Sequence, residues 1–247
     1  MRNEFAKIIT ELSIVKKDIV LLAGDIGNRL FDNFKKNNPE RFYNCGVAEA
    51  NMTGVASGLA SCGFKPVTYT ITPFNTARCF EQIRLDICYP NLPVIIVGTG
   101  SGLSYASLGA THHSMEDISI LKTLPNLQII CPADKKEVRE AFIKAYESNK
   151  PTYIRLGKKG EPLIHKKKPN FQIGKSIFLK KGNDVALLGV GNALSIAAKC
   201  EEELFKKKIK CDLISFHTPK PLDKKLLTNL FKSDKLIAII EEHGLIG

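Results

Sequence analysis

"CGVAEANMTGVASGLA", residues 45–60, is the stretch on which the reading of this chain turns. Gly46, Ala48, Ala50, Gly54, Ala56, Ser57, Gly58 and Ala60 crowd a segment whose pattern predicts a helix, and one carboxylate, Glu49, stands near its start. Side chains this small let another backbone or a ligand come close. The acid has two readings on pattern alone. It complements the helix dipole from the first turn, or it is a partly buried carboxyl presented to a ligand.

Around this helix, short β-branched runs alternate with longer helical patterns. Residues 18–25, 65–71, 92–100, 126–134 and 151–157 read as buried strands, and 75–89 and 134–148 as further helices, the last capped by Asp134. Such alternation predicts an α/β fold with a mostly parallel sheet covered on both faces. A basic stretch with two prolines and little periodicity follows, "KKGEPLIHKKKPNFQIG" (158–174). We take 1–160 as a first domain, 161–173 as a linker and 174–247 as a second, smaller α/β domain. The second domain offers three strand-like runs (184–191, 210–216 and 235–242) and helices at 193–207 and 224–231. Three strands make a thin sheet, so this domain is expected to be incomplete, either truncated or completed by another element. No internal repeat is evident.

The composition narrows the function classes. Apolar residues make up 44% of the 247, enough for a substantial core, and no run approaches the ~18 apolar residues of a membrane span. The N-terminal 20 residues are amphipathic and carry Glu4, Glu11 and Asp18, unlike a signal peptide. Seven cysteines, none spaced CxxC, argue against a disulfide framework or a zinc knuckle and for a reducing, cytoplasmic setting. The net charge of +11 comes from lysines concentrated in the later half with no interleaved aromatics. That distribution predicts a solvated surface rather than a nucleic-acid groove, and leaves a bias toward anionic ligands.

Several further positions stand out. "GTGSG" (98–102) follows a strand but lacks the GxGxxG spacing of a dinucleotide loop. The glycine- and serine-rich segment 98–117 ends in "GATHHSMED", and long loops after parallel strands are where sites lie. Adjacent His112 and His113 lack an obvious third metal ligand. A single loop histidine suits proton transfer or hydrogen bonding, against the alternative of a surface residue. Asp25, closing the first strand in "AGDIGN", either caps a turn or reaches into a crevice. Phe74 is either core or a ring for a planar ligand to stack on.

Taken together, these segments resemble the transketolase family of thiamine-diphosphate enzymes. The helix of small residues with its Glu is similar to the family's corresponding stretch. So are "TPFNTARCFEQIRLDI" (72–87), "GATHHSMEDISILKTLPNLQIICPAD" (109–134), "PTYIRLGKKG" (151–160) and "LIAIIEEHGLIG" (236–247). Deoxyxylulose-phosphate synthase shares the same domain. The resemblance implies a pyrimidine-binding domain followed by a C-terminal transketolase domain, with the cofactor between subunits. It assigns Glu49 to the carboxyl that hydrogen-bonds N1′ of the aminopyrimidine and favours the imino tautomer that removes the C2 proton. Phe74 matches the ring stacked on the aminopyrimidine, Asp25 an acid near the cofactor, and Arg78 falls in the same cofactor-binding stretch. His112 matches the loop histidine that contacts substrate, and Lys158 falls where relatives grip a substrate phosphate with arginine; lysine keeps the charge but loses the bidentate fork.

Two departures accompany these matches. Relatives that transfer ketols between sugar phosphates carry a further histidine where Gly100 stands and an aspartate where Leu108 stands. These losses imply an unusual sugar-type substrate, such as a modified or nucleotide-linked sugar. No GDG followed by Asn, the family's metal and diphosphate motif, occurs in the chain. Mg²⁺ and the diphosphate are therefore expected on a separate N-terminal-type subunit, with this chain holding no metal itself and self-associating across the small-residue helix, in an assembly of two copies of each. Alternatives on the same fold are a deoxyxylulose-phosphate-type condensation, a 2-oxo-acid decarboxylation, or a non-catalytic partner-binding subunit. Neither nucleic acid nor membrane is an expected partner.

Overall fold

Six strands pair side by side, all parallel, into one sheet in the computed structural model, which describes residues 1–27 and 29–246. The strands are β1 (Ile19–Ala23), β2 (Phe42–Asn44), β3 (Lys65–Ile71), β4 (Ile95–Thr99), β5 (Gln128–Ile130) and β6 (Thr152–Leu156), in the order β2-β1-β3-β4-β6-β5. The chain runs outward from β1 to β2, then returns to place β3 on the other side of β1. Such a reversal opens a crevice at the carboxyl ends of β1 and β3, where ligands of open parallel sheets bind.

Alternate residues of each strand face opposite layers. One layer is α1 (Arg2–Val15), α2 (Asp32–Asn37) and, later in the chain, the long helix Lys135–Ser148; Phe5, Ile9, Phe34 and Phe142 bury against Leu21, Val67 and Ile95. The other layer begins with α3 (Glu49–Ser61), whose Met52, Ala56 and Ala60 pack with Val20, Leu22 and Ile96. Fully burying each large apolar side chain stabilises the fold by about 1.5–3 kcal/mol, and these two layers supply most of it.

The segment expected as one helix over 75–89 is broken. It comprises α4 (Thr72–Asn75), a 3₁₀ turn (Ala77–Cys79), α5 (Phe80–Gln82) and a π-helical turn (Ile83–Cys88). Polar side chains divert the segment: Thr76 Oγ1 donates to the Thr72 carbonyl at 2.7 Å, the acceptor a continuous helix would give the Thr76 amide, and Asn75 Nδ2 reaches across to the Val97 carbonyl of β4 at 3.0 Å. The break turns Phe74 and Arg78 toward the carboxyl edge of the sheet instead of along one helix face. The layer closes with α6 (Asp117–Lys122), and α7 is the helix Lys135–Ser148, capped as expected by Asp134, which accepts from the Lys136 and Glu137 amides.

The second sheet has four strands, not three: β7 (Ile177–Lys180), β8 (Val185–Gly189), β9 (Cys211–Ser215) and β10 (Leu236–Ile240), ordered β10-β8-β9-β7. The strand not expected from the sequence is β7, an edge strand that runs antiparallel to β9. Its half-exposed alternation and flanking lysines hid it from a search for apolar runs. α8 (Leu194–Lys206) and α9 (Lys224–Phe231) cover this sheet. No helix among the described residues is long and apolar enough to cross a membrane.

Candidate active site

The residues singled out by the sequence lie in the segments that leave the carboxyl ends of the strands of the first sheet. Asp25 comes two residues after β1, Glu49 opens α3 after β2, and Phe74 lies in the turn that follows β3. His112 sits in the long loop after β4, and Lys158 follows β6.

Glu49 is buried, 2% exposed, although it is charged and stands in the first turn of its helix. Gly24 makes room for it: a Cβ there would lie 3.2 Å from Glu49 Cγ and 3.1 Å from Thr70 Oγ1. Arg78 Nη1 donates to Glu49 Oε2 at 2.8 Å. Glu49 Oε1 has no hydrogen-bond partner among the described residues, and neither does buried Thr70 Oγ1 beside Gly24.

From this pair a chain of contacts leads outward. The Arg78 guanidinium lies over the Phe74 ring, 4.2 Å from its centroid. The His112 ring meets Phe74 edge-on at 5.1 Å and Tyr105 at 6.0 Å. Lys158 Nζ stands 4.4 Å above the Tyr105 ring. Each such cation–π contact is worth ~0.5–1 kcal/mol where exposed. Glu49, Arg78, Phe74, His112 and Lys158 therefore form one continuous surface. Asp25 lies beside it, exposed, with its carboxylate accepting from Asn44 Nδ2 at 3.1 Å. His113 turns away and contacts the Ala106 carbonyl at 3.2 Å, so the adjacent histidines do not share a target.

The loop is fixed at its base. Gly102 and Ser114 exchange backbone hydrogen bonds of 3.1 and 3.0 Å. Glu242, from beyond β10, accepts from the Leu103 amide at 3.0 Å, and its side chain fills the space a Cβ at Gly102 would need. Arg155 ties the same region together. Its guanidinium pairs with Asp117 and donates to the Ser114 and Glu242 carbonyls. Tyr105, Arg155 and Glu242 escaped the sequence reading, because their contacts join positions far apart in the chain. The positive-φ glycines at 100 and 102 were the one local trace of a tightly packed loop.

The linker is docked, not free. Asp134 accepts from the Ile164 and His165 amides as well as from its own helix. Burial alone would raise its carboxyl, but the bonds from His165 and the α7 amides bring it down to about 2.

The donor set fits a planar, nitrogen-bearing cofactor ring. A buried carboxyl with one oxygen unengaged, a side-chain-free Gly24 behind it and an aromatic face at Phe74 could hold such a ring against this edge. Among the described residues, no group of three or more His, Cys, Asp or Glu could hold a metal ion.

Comparison with known proteins accords with this geometry. Residues 1–161 match the family description "Transketolase, pyrimidine binding domain", and residues 174–247 match "Transketolase, C-terminal domain". The chain is 35% identical to one of the subunits of an apulose-4-phosphate transketolase from Actinobacillus succinogenes, over 99% of its own length and 80% of that protein's. It is 32% identical to the 6-deoxy-6-sulfo-D-fructose transketolase subunit SqwH from Clostridium sp., over 100% of its own length and 77% of that protein's. Among solved structures, a split-gene transketolase described as an inactive β4 tetramer superposes with a TM-score of 0.91 at 35% identity, covering 100% of this chain and 80% of that one.

Proposed function

The chain belongs to the transketolase family, and from that premise we propose that it is the smaller subunit of a two-chain, thiamine-diphosphate-dependent transferase. The enzyme moves a two-carbon ketol unit between sugar-type substrates, at least one of them a modified sugar. The observation that carries this reading is the placement of Glu49. It is buried at the carboxyl edge of a parallel sheet, with Gly24 cleared behind it and Phe74 and His112 in one connected surface. The relatives named for apulose-4-phosphate and for a deoxysulfo-sugar support a modified substrate.

The residue roles follow from the contacts. Bound thiamine diphosphate supplies a thiazolium carbon that becomes a nucleophile once it loses its proton. Glu49 holds a proton between Oε1 and a ring nitrogen, from a position fixed by the Arg78 ion pair on Oε2. Phe74 offers its ring as the stacking wall. His112, wedged between Phe74 and Tyr105, presents its imidazole to the reacting end of the substrate. Lys158 faces the distal, anionic end, and Asp25 lines the rim beside β1. A separate diphosphate-binding subunit holds the metal and the diphosphate.

Self-association uses the outward face of α3. A Cβ at Gly54 or Gly58 would meet nothing within 4 Å, so the folding of this chain does not account for these small residues. With Val55, which is 43% exposed, they leave a shallow face for close approach of a second helix. The solved relative's description as an inactive β4 tetramer supports both self-association and the need for the other subunit.

The test mixes the chain with the diphosphate-binding subunit, thiamine diphosphate and Mg²⁺, and follows proton exchange at the thiazolium C2 by NMR. The parent protein accelerates exchange. Glu49→Gln reduces the acceleration by about 10²-fold or more. Equal exchange in Glu49→Gln and parent would remove Glu49 from the role.

A further inference from the structure

We propose that Tyr105 determines the substrate specificity of this site, selecting an anionic sugar derivative that lacks a hydroxyl at the carbon facing its ring. The inference rests on the ketol-transfer reading above and adds the class of substrate.

The first observation is steric. Gly100 has φ +74°, and a Cβ built on it would fall 1.9 Å from Tyr105 Cε2 and 2.3 Å from Cδ2. The tyrosine ring fills the space that a side chain at position 100 would use. Any hydrogen-bonding group reaching inward from there is excluded while the ring stays.

The second is electrostatic. One face of the ring carries the Lys158 ammonium, and its neighbourhood also holds the His112 imidazole. A substrate reaching from His112 toward Lys158 must pass the half-buried ring. Its anionic end is matched by the lysine, and the carbon between meets a π-system.

The third is compositional. From Gly98 to Met115 the chain has no Asp, Glu, Asn, Gln, Lys or Arg. Leu103 and Leu108 are instead 46% and 51% exposed. This loop has no carboxylate or carboxamide to pair with a sugar hydroxyl. A hydroxyl held against the face of the ring loses its water and gains only a weak π contact in return, whereas a C–H face loses nothing. An apolar wall rejects an added hydroxyl only modestly, by up to about 10²-fold, which sets the size of the expected preference.

The experiment uses the complex with the diphosphate-binding subunit, loaded with thiamine diphosphate and Mg²⁺. Two unreactive probes are titrated by calorimetry, erythritol 4-phosphate and its 2-deoxy analogue. The parent should bind the deoxy probe about tenfold more tightly or better. Tyr105→Ala should bring the two affinities within twofold of each other, and Tyr105→Phe should keep the preference. Far-UV circular dichroism and urea midpoints of both variants should match parent, which shows that the fold is intact. Equal or reversed affinities in the parent would overturn the proposal. So would failure to bind either phosphate, or an undiminished preference in Tyr105→Ala. Loss of C2 proton exchange in the parent complex would strike the ketol-transfer reading itself, since no substrate takes part in that measurement.

Discussion

Glu49 shows how a single missing side chain sets up a site. A buried carboxylate is costly unless it is paired and hydrogen-bonded. Here Arg78 supplies the pairing at 2.8 Å, and Gly24 supplies the room. Adding one methyl tests the arrangement. Gly24 does not have a positive φ, so alanine is tolerated by the backbone and acts only through contact. Gly24→Ala should push Glu49 by a few tenths of an ångström and slow C2 proton exchange roughly tenfold. The fold should lose about 1–3 kcal/mol by chemical denaturation. Unchanged exchange would mean that the Glu49 carboxyl does not depend on this cavity. At this scale the sequence offers candidates wherever a residue type suits the chemistry. Motifs alone single out Glu49, Asp25, Phe74, Arg78, His112 and Lys158 as candidates. The sequence is silent on Tyr105, a residue that reads as ordinary until its ring is found over Gly100.

At the scale of elements, the strands of the first sheet were legible because burial on both faces leaves continuous apolar runs. β2 and β7 were not, because each is a short, partly exposed edge strand with no such run. The broken stretch after β3 was misread for a different reason. Its apolar spacing fits a helix, but Thr76 Oγ1 takes the Thr72 carbonyl that a continuous helix would need, and Asn75 is tied instead to the Val97 carbonyl of β4. The long loop after β4 depends on an anchor 139 positions away, the Glu242 carboxylate on the Leu103 amide. Glu242→Ala should therefore speed hydrogen exchange of the Leu103 amide at least about tenfold, measured by NMR on the chain. It should raise KM for sugar substrate in the assembled enzyme more than it lowers kcat. Parent-like exchange at Leu103 would show that the bridge of Gly102 and Ser114 holds the loop unaided.

Across the whole molecule, the two sheets share a core. Ala186, Leu188, Ile214 and Phe216 cluster with Leu121, Ile129 and Cys131 of the first domain. His217 lies at this junction, fully buried and stacked on Phe171 of the linker at 3.9 Å. Burial, followed by the charge of His165, pulls its pKa down to about 4. The unfolded chain then binds this proton near pH 6.5 and the folded chain only near 4, so stability falls as pH drops through that interval. Protonation of His217 should cost roughly 3 kcal/mol by about pH 4. His165 has the opposite sense. Burial lowers its pKa, but the Asp134 bond and the Glu137 and Asp134 charges more than offset this and leave it raised. Its contribution is therefore complete below about pH 6.5 and lost as pH rises through the folded value. Urea melts between about pH 4 and 7 should show a single transition whose acid-side loss is reduced in His217→Phe. An identical acid limb in that variant would move the effect to other groups.

The overlap between position 100 and the ring of Tyr105 also constrains history. A side chain at 100 needs the ring of Tyr105 to turn aside, and the backbone there, at φ +74°, favours glycine in any case. The two positions are therefore expected to change together: chains that keep an aromatic ring at 105 should keep glycine at 100.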